Sequence, residues 1–141
     1  MKLKTLILEN FRSYKEEIRI EMSDFTAFIG VNDAGKSTIL EAMEIFFNNE
    51  VVKIDSSDYC VHSDNKLVRI GCIFTDVPER IVIDSTSTTS LSQEYLLNNE
   101  GNLEIHKVYD CSIKSPKESV NVKCIHPTKT QLSTWKTARP L

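Results

Sequence analysis

Four glycines are all the chain has in 141 residues, so two of them at a set spacing carry information that they would lack in a glycine-rich sequence. Cysteine is as sparse: Cys60, Cys72, Cys111 and Cys124 lie far apart, with no C-x-x-C pair. That speaks against a zinc ribbon or a disulfide framework. His62 near Cys60 and His126 near Cys124 are the only histidines beside them. Reduced, partly buried thiols of a cytosolic protein are the expectation. No apolar run approaches the length of a membrane span. The start, Met1-Lys2-Leu3-Lys4 leading into Thr5-Leu6-Ile7-Leu8-Glu9, is too short an apolar region for a signal peptide. The chain is therefore expected to be cytoplasmic, with no membrane partner. It shows no internal repeat, and its length leaves no room for a second compact domain. A content of 40% hydrophobic and 26% charged residues is that of a soluble domain.

The net charge of −3 conceals an asymmetry. Residues 1–100 carry 10 basic and 17 acidic side chains, a balance of −7, and residues 101–141 carry 7 basic and 3 acidic, a balance of +4. Lys107, Lys114, Lys117, Lys123, Lys129, Lys136 and Arg139 could face nucleic acid or could be the solvated face of a sheet.

One stretch organises the rest. Gly30-Val31-Asn32-Asp33-Ala34-Gly35-Lys36-Ser37-Thr38 matches the phosphate-loop pattern G-x-x-x-x-G-K-[ST], which arises by chance in roughly one chain of this length in two hundred. It follows the apolar run Phe25-Thr26-Ala27-Phe28-Ile29, which reads as a buried strand. Behind it Ile39, Met43, Phe46 and Phe47 recur at helical spacing, with Glu41 and Glu44 between them. A nucleotide's phosphates are multiply negative, and successive backbone N–H groups feeding a helix N-terminus offer them a concave, positive cradle. Gly30 and Gly35 give the backbone freedom for that wrap, around Asn32, Asp33 and Ala34. Lys36 would neutralise the β- and γ-phosphates and is the catalytic candidate. The Ser37 hydroxyl would complete the shell of a Mg²⁺ ion that keeps several waters, and Thr38 could reach the α-phosphate.

Elsewhere the pattern is one of short strands. Residues 2–9 read as a first strand, and Ile18, Ile20 and Met22 alternating with Glu17, Arg19 and Glu21 as a second. The helix runs from about Lys36 to Phe47 and ends at Asn48-Asn49, where asparagine tolerates the left-handed cap. Val68, Ile70, Cys72 and Phe74 mark a further strand, with Gly71 as a candidate bulge. Ile81-Val82-Ile83 looks like a strand, but the Ser/Thr run from Ser85 to Ser92 has no periodicity, and residues 78–100 read as a surface excursion. Leu103, Ile105, Tyr109, Cys111 and Ile113 pair at hairpin spacing with Val120, Val122 and Cys124. From Pro127 onward the apolar pattern thins to Leu132, Trp135 and Leu141, too little to hold a helix alone. The expected fold class is α/β, a P-loop NTPase lobe with a mixed, largely antiparallel sheet around one long helix.

The succession Leu6-Ile7-Leu8-Glu9-Asn10-Phe11-Arg12-Ser13-Tyr14, a second strand, then Phe28 to Ala42 resembles the N-terminal ATP-binding lobe of ABC-type DNA-maintenance ATPases, which include RecF and the structural-maintenance-of-chromosomes (SMC) group. Asn32-Asp33 in the loop and the later Ser57-Asp58-Tyr59 make it most similar to the OLD (overcoming lysogenization defect) family, including the ATPase-nuclease of the Gabija antiviral system. The likeness covers roughly residues 1–76. It implies ATP with Mg²⁺ as ligands, and Arg12 and Ser13 near the phosphates, although Arg12 also reads as a surface arginine at a strand end. Asp58 would be catalytic or metal-coupled, or else a loop-capping aspartate that bonds its own backbone. For the parent protein the resemblance implies DNA as partner, a homodimer or higher oligomer, and a separate nuclease domain.

Such proteins continue into a helical insertion, a signature motif, a Walker B strand ending in acidic residues and a switch histidine. None is found in these 141 residues. The expectation is thus residues 1–126 as an ATP-binding lobe of a larger protein, with residues 127–141 beginning an insertion or forming a flexible tail. A small regulatory module using the same sheet to engage a partner is the alternative. A small-substrate kinase fits less well, because the C-terminal half reads as antiparallel β.

Overall fold

The structure is a computed structural model that describes residues 1–31, 35–48, 50–84, 87–125 and 133–137, with backbone alone at 83, 84, 87 and 133–137. Its elements run β1 (Lys2–Glu9), β2 (Ile18–Glu21), α1 (Lys36–Phe46), β3 (Leu67–Thr75), β4 (Ile81–Asp84), β5 (Ser87–Thr89), β6 (Leu103–Asp110), β7 (Lys117–Ile125) and β8 (Ser133–Thr137). Six strands form one sheet in the order β2-β1-β3-β6-β7-β8, and β4 pairs with β5 in a separate hairpin. Every described pairing is antiparallel.

Alternation along the strands sets the two faces of the sheet. Leu6, Leu8, Val68, Ile70, Cys72, Phe74 and Tyr109 meet Ile39, Ala42, Ile45 and Phe46 of α1 in one core cluster. The helix buries a stripe of 3.6-residue period, Ile39, Ala42, Ile45 and Phe46; of the other residues expected on it, Met43 is partly buried and Phe47 lies past the helix end, exposed. At its far end Lys107, itself buried, donates to Asn48 Oδ1 at 2.7 Å and stands 5.6 Å from the Phe46 ring centroid. A cation there offsets the negative end of the helix. Asn48 adopts φ 54, the left-handed cap expected of it, while Asn49 lies outside the described residues.

Three expectations are corrected. The run Phe25-Thr26-Ala27-Phe28-Ile29 is not a buried strand: it carries no strand assignment, and Phe25 and Ile29 are 86% and 95% exposed. The chain must climb here from the sheet, where Met22 makes a ladder bond to Lys4, to the helix layer above it. Leaving the plane of the sheet removes the partners a strand needs, and Phe28 alone packs against the core. Gly71 is not a bulge either, since β3 and β6 stay in register through Gly71 and His106. The irregularity falls between Leu3 and Thr5. The Ser/Thr run, thirdly, contributes β5 to a hairpin. Residues 133–137, within the segment expected to be an appendage, extend the sheet by pairing with β7. All four cysteines are free and buried.

On the face away from α1, burial and polarity combine. Glu104 and His106 are 3% and 1% exposed, with His106 Nε2 2.9 Å from Glu104 Oε1. Asn98 donates to the other carboxylate oxygen at 3.0 Å, and Lys123 lies 3.4 Å from the first. Burial alone would raise the Glu104 pKa, but the bonds from His106 and Asn98 and the Lys123 charge outweigh it and hold it down at about 2.

Candidate nucleotide-binding site

The site is built from three segments distant in sequence. The phosphate loop leaves Gly30 and Val31, both exposed, and ends at Gly35, which caps α1 with φ 81 and ψ 3. Only glycine takes that left-handed conformation without strain. Lys36 opens the helix, and its Nζ reaches back to donate to the Gly30 carbonyl at 2.7 Å and to the Val31 carbonyl. The ammonium thus draws the two ends of the loop together. Ser37 is exposed and Thr38 half-buried in the first helical turn, and no acidic residue occupies that turn. Among the described residues, no acidic side chain of the first turn offsets the positive end of the helix. Asn32, Asp33 and Ala34 lie outside the described residues.

The second segment is the tight turn after β1. Phe11 and Tyr14 exchange backbone hydrogen bonds of 2.9 Å in each direction, with Asn10 at φ 55 and Arg12 at φ 51. Asn10 makes this turn rigid. Its buried side chain donates to the Asn65 and Leu67 carbonyls at 2.6 and 3.0 Å and accepts from the Cys60 N–H at 3.3 Å. The third segment is the loop around Asp58.

Arg12 joins all three. Its Nε donates to Asp58 Oδ1 at 2.9 Å and its Nη1 to Glu41 Oε2 on α1. The guanidinium carbon sits 5.0 Å from the Phe11 ring centroid. Burial would lower its pKa, but bonds to Asp58 and Glu41 outweigh that and raise it. Asp58 is buried, and its second oxygen accepts from the Asp55 N–H at 2.7 Å. Both carboxylate oxygens are therefore engaged within the protein. Ser13 is exposed at the tip of the turn. Tyr14 completes the contact with the phosphate loop, its hydroxyl donating to the Gly35 carbonyl at 3.3 Å.

The structure thus brings Arg12, Gly35, Lys36 and Asp58 into one connected region. Asn10, Tyr14 and Glu41 belong to it as well, and sequence patterning gave them no role. The available signal was an asparagine tolerant of positive φ at the end of β1 and a glutamate on the polar side of the P-loop helix.

The fold resembles a solved chain from a study of ATP-driven dimerization and DNA-stimulated activation of SMC ATPases, with a TM-score of 0.56, 18% identity, and coverage of 85% of this chain and 68% of that one. That likeness is one of fold. More particularly, residues 1–138 match the family model described as AAA ATPase domain, and the chain belongs to that family. Endonuclease GajA from Bacillus cereus (strain VD045) is 31% identical over 72 residues, which are 50% of this chain and 12% of the relative. The match supports the resemblance to OLD-type ATPases, and the chain spans only a small part of that relative's length.

Proposed function

We propose that this chain is the ATP-binding portion of a DNA-acting ATPase of the OLD type. The observation that carries the reading is the arrangement of Gly35, Lys36 and Ser37: a left-handed glycine cap, an ammonium folded back to the Gly30 and Val31 carbonyls, and an exposed hydroxyl in a first helical turn that holds no acidic residue. Phosphate oxygens would replace the Gly30 and Val31 carbonyls as partners of Lys36, exchanging neutral acceptors for charged ones. Ser37 suits one ligand position of a Mg²⁺ ion, which supplies further charge neutralisation when bound. Gly30, Asn32, Asp33 and Ala34 would offer backbone N–H groups, and Thr38 a hydroxyl. Arg12, with Ser13 beside it, supports the loop through α1.

Asp58 fits the loop-capping role in this reading, and metal coupling would require it to release Arg12 or Asp55. The relative is an endonuclease and the solved neighbour comes from work on ATP-driven dimerization, so ATP binding is proposed to couple closure of two such lobes to DNA cleavage elsewhere in the parent protein. Residues 1–126, with β8 added, would be the lobe.

Thermal unfolding with Mg-ATP tests the reading. A ligand at about a hundred times its Kd stabilises by about 2.7 kcal/mol, so the midpoint should rise for wild type and rise much less for Lys36→Ala. A rise of equal size in both would refute the site.

A further inference from the structure

We propose that Tyr14 is a positioning residue of the phosphate loop, holding Gly35 and the peptide that follows it in the orientation bound phosphates require. The proposal rests on the nucleotide-binding reading and adds a residue to it.

The contact is both steric and polar. A Cβ built on Gly35 would lie 2.4 Å from the Tyr14 Oη, 3.0 Å from Cζ and 3.4 Å from Cε2. The tyrosine therefore occupies the space a side chain at position 35 would need. Its hydroxyl donates to the Gly35 carbonyl at 3.3 Å, and the same oxygen accepts the Ile39 N–H at 3.1 Å. The carbonyl is held from two directions. Because a peptide unit is planar and trans, fixing the Gly35 carbonyl also fixes the Lys36 N–H, which points the opposite way. That N–H belongs to the first turn of α1, where amides lack helical partners and are free for an anion.

Tyr14 is presented from a rigid support. The backbone bonds between Phe11 and Tyr14 close the turn, Phe11 is fully buried, and the Asn10 side chain anchors it to the 60–67 segment. The same turn grips α1 a second time through Arg12 and Glu41. One turn thus touches the P-loop helix at its cap and again beyond its first turn, which fixes both the start of the helix and its rotation.

The effect should be specific to phosphate recognition. Tyr14→Phe keeps the ring and removes one long hydrogen bond, which should weaken Mg-ATP binding about two- to tenfold. Tyr14→Ala also removes the wall and should weaken it further. The test is calorimetric titration of Mg-ATP into wild type, Tyr14→Phe, Tyr14→Ala and Lys36→Ala, with the nucleotide-free unfolding midpoint of each. Weakened binding by Tyr14→Phe at an unchanged midpoint supports the assignment. Wild-type affinity in both Tyr14 variants, with binding weakened about ten- to a hundredfold in Lys36→Ala, overturns the role of Tyr14 and leaves the nucleotide reading standing. A loss of affinity matched by a fall in the nucleotide-free midpoint marks a merely structural tyrosine and also overturns it. No binding by wild type overturns the underlying reading and this inference with it.

Discussion

Arg12 holds Asp58 twice, its backbone N–H donating to the Asp58 carbonyl at 2.8 Å and its Nε to the carboxylate at 2.9 Å. The pair fastens the turn after β1 to a loop 46 residues later. With Glu41 on the other side of the guanidinium, it also fastens both to the P-loop helix.

Arg12→Ala should therefore destabilise the chain by about 2 kcal/mol, because it strips a mostly buried carboxylate of its charged donor. Arg12→Lys should recover little of this, since an ammonium cannot serve two carboxylates with a planar fork. Urea unfolding measures it, and a change below about 0.5 kcal/mol, the range of ordinary surface substitutions, would show the clasp to be incidental.

Gly71→Ala tests the register of the central strands. A Cβ at Gly71 would fall 2.6 Å from His106 Nδ1 and 2.8 Å from Cε1. The ring is nearly fully buried and bonded to Glu104, so it has little room to yield, and the cost should be about 1–3 kcal/mol. A neutral effect in the same unfolding measurement would contradict this placement of His106.

Glu104 gives the fold a defined acid sensitivity. Its folded pKa is about 2, lowered from 4.5, so its contribution is fully present above about pH 4.5 and is lost as the pH falls toward 2. The contribution is at most about 3 kcal/mol. In Glu104→Gln the unfolding free energy should be lower at pH 7 and fall less steeply between pH 4.5 and 2. Parallel pH profiles for wild type and variant would count against the Glu104 network.

The helix and most strands were legible because each writes its own period into the sequence: Ile39, Met43 and Phe46 at helical spacing, and Val68, Ile70, Cys72 and Phe74 at two. Residues 25–29 misled because apolar character signals a wish for burial, whereas a strand also needs a neighbour to pair with. β5 and β8 were hidden for the converse reason, since backbone pairing can recruit segments with few apolar residues. Lys36 and its glycines were legible through a motif with a mechanism. Tyr14 and Glu41 were not, because contacts between a turn and a helix more than twenty residues away leave no periodic trace.

Turnover is predicted to be absent or slow. The 141 residues contain no apolar run ending in paired acids and no signature motif, and phosphoryl transfer depends on several positioning groups acting together. Phosphate release at saturating Mg-ATP should stay below about 1 s⁻¹, the low end of typical enzymes. Faster release that disappears in Lys36→Ala would reveal a complete ATPase with an unrecognised general base.

Calorimetric titration with ATP is the most direct test of the central claim. Wild type should bind, and more tightly with Mg²⁺, a preference that Ser37→Ala should abolish. Lys36→Ala should lose a charge-assisted contact of about 1.5–3 kcal/mol, which is about ten- to a hundredfold in affinity. Equal affinity for wild type and Lys36→Ala would contradict the account.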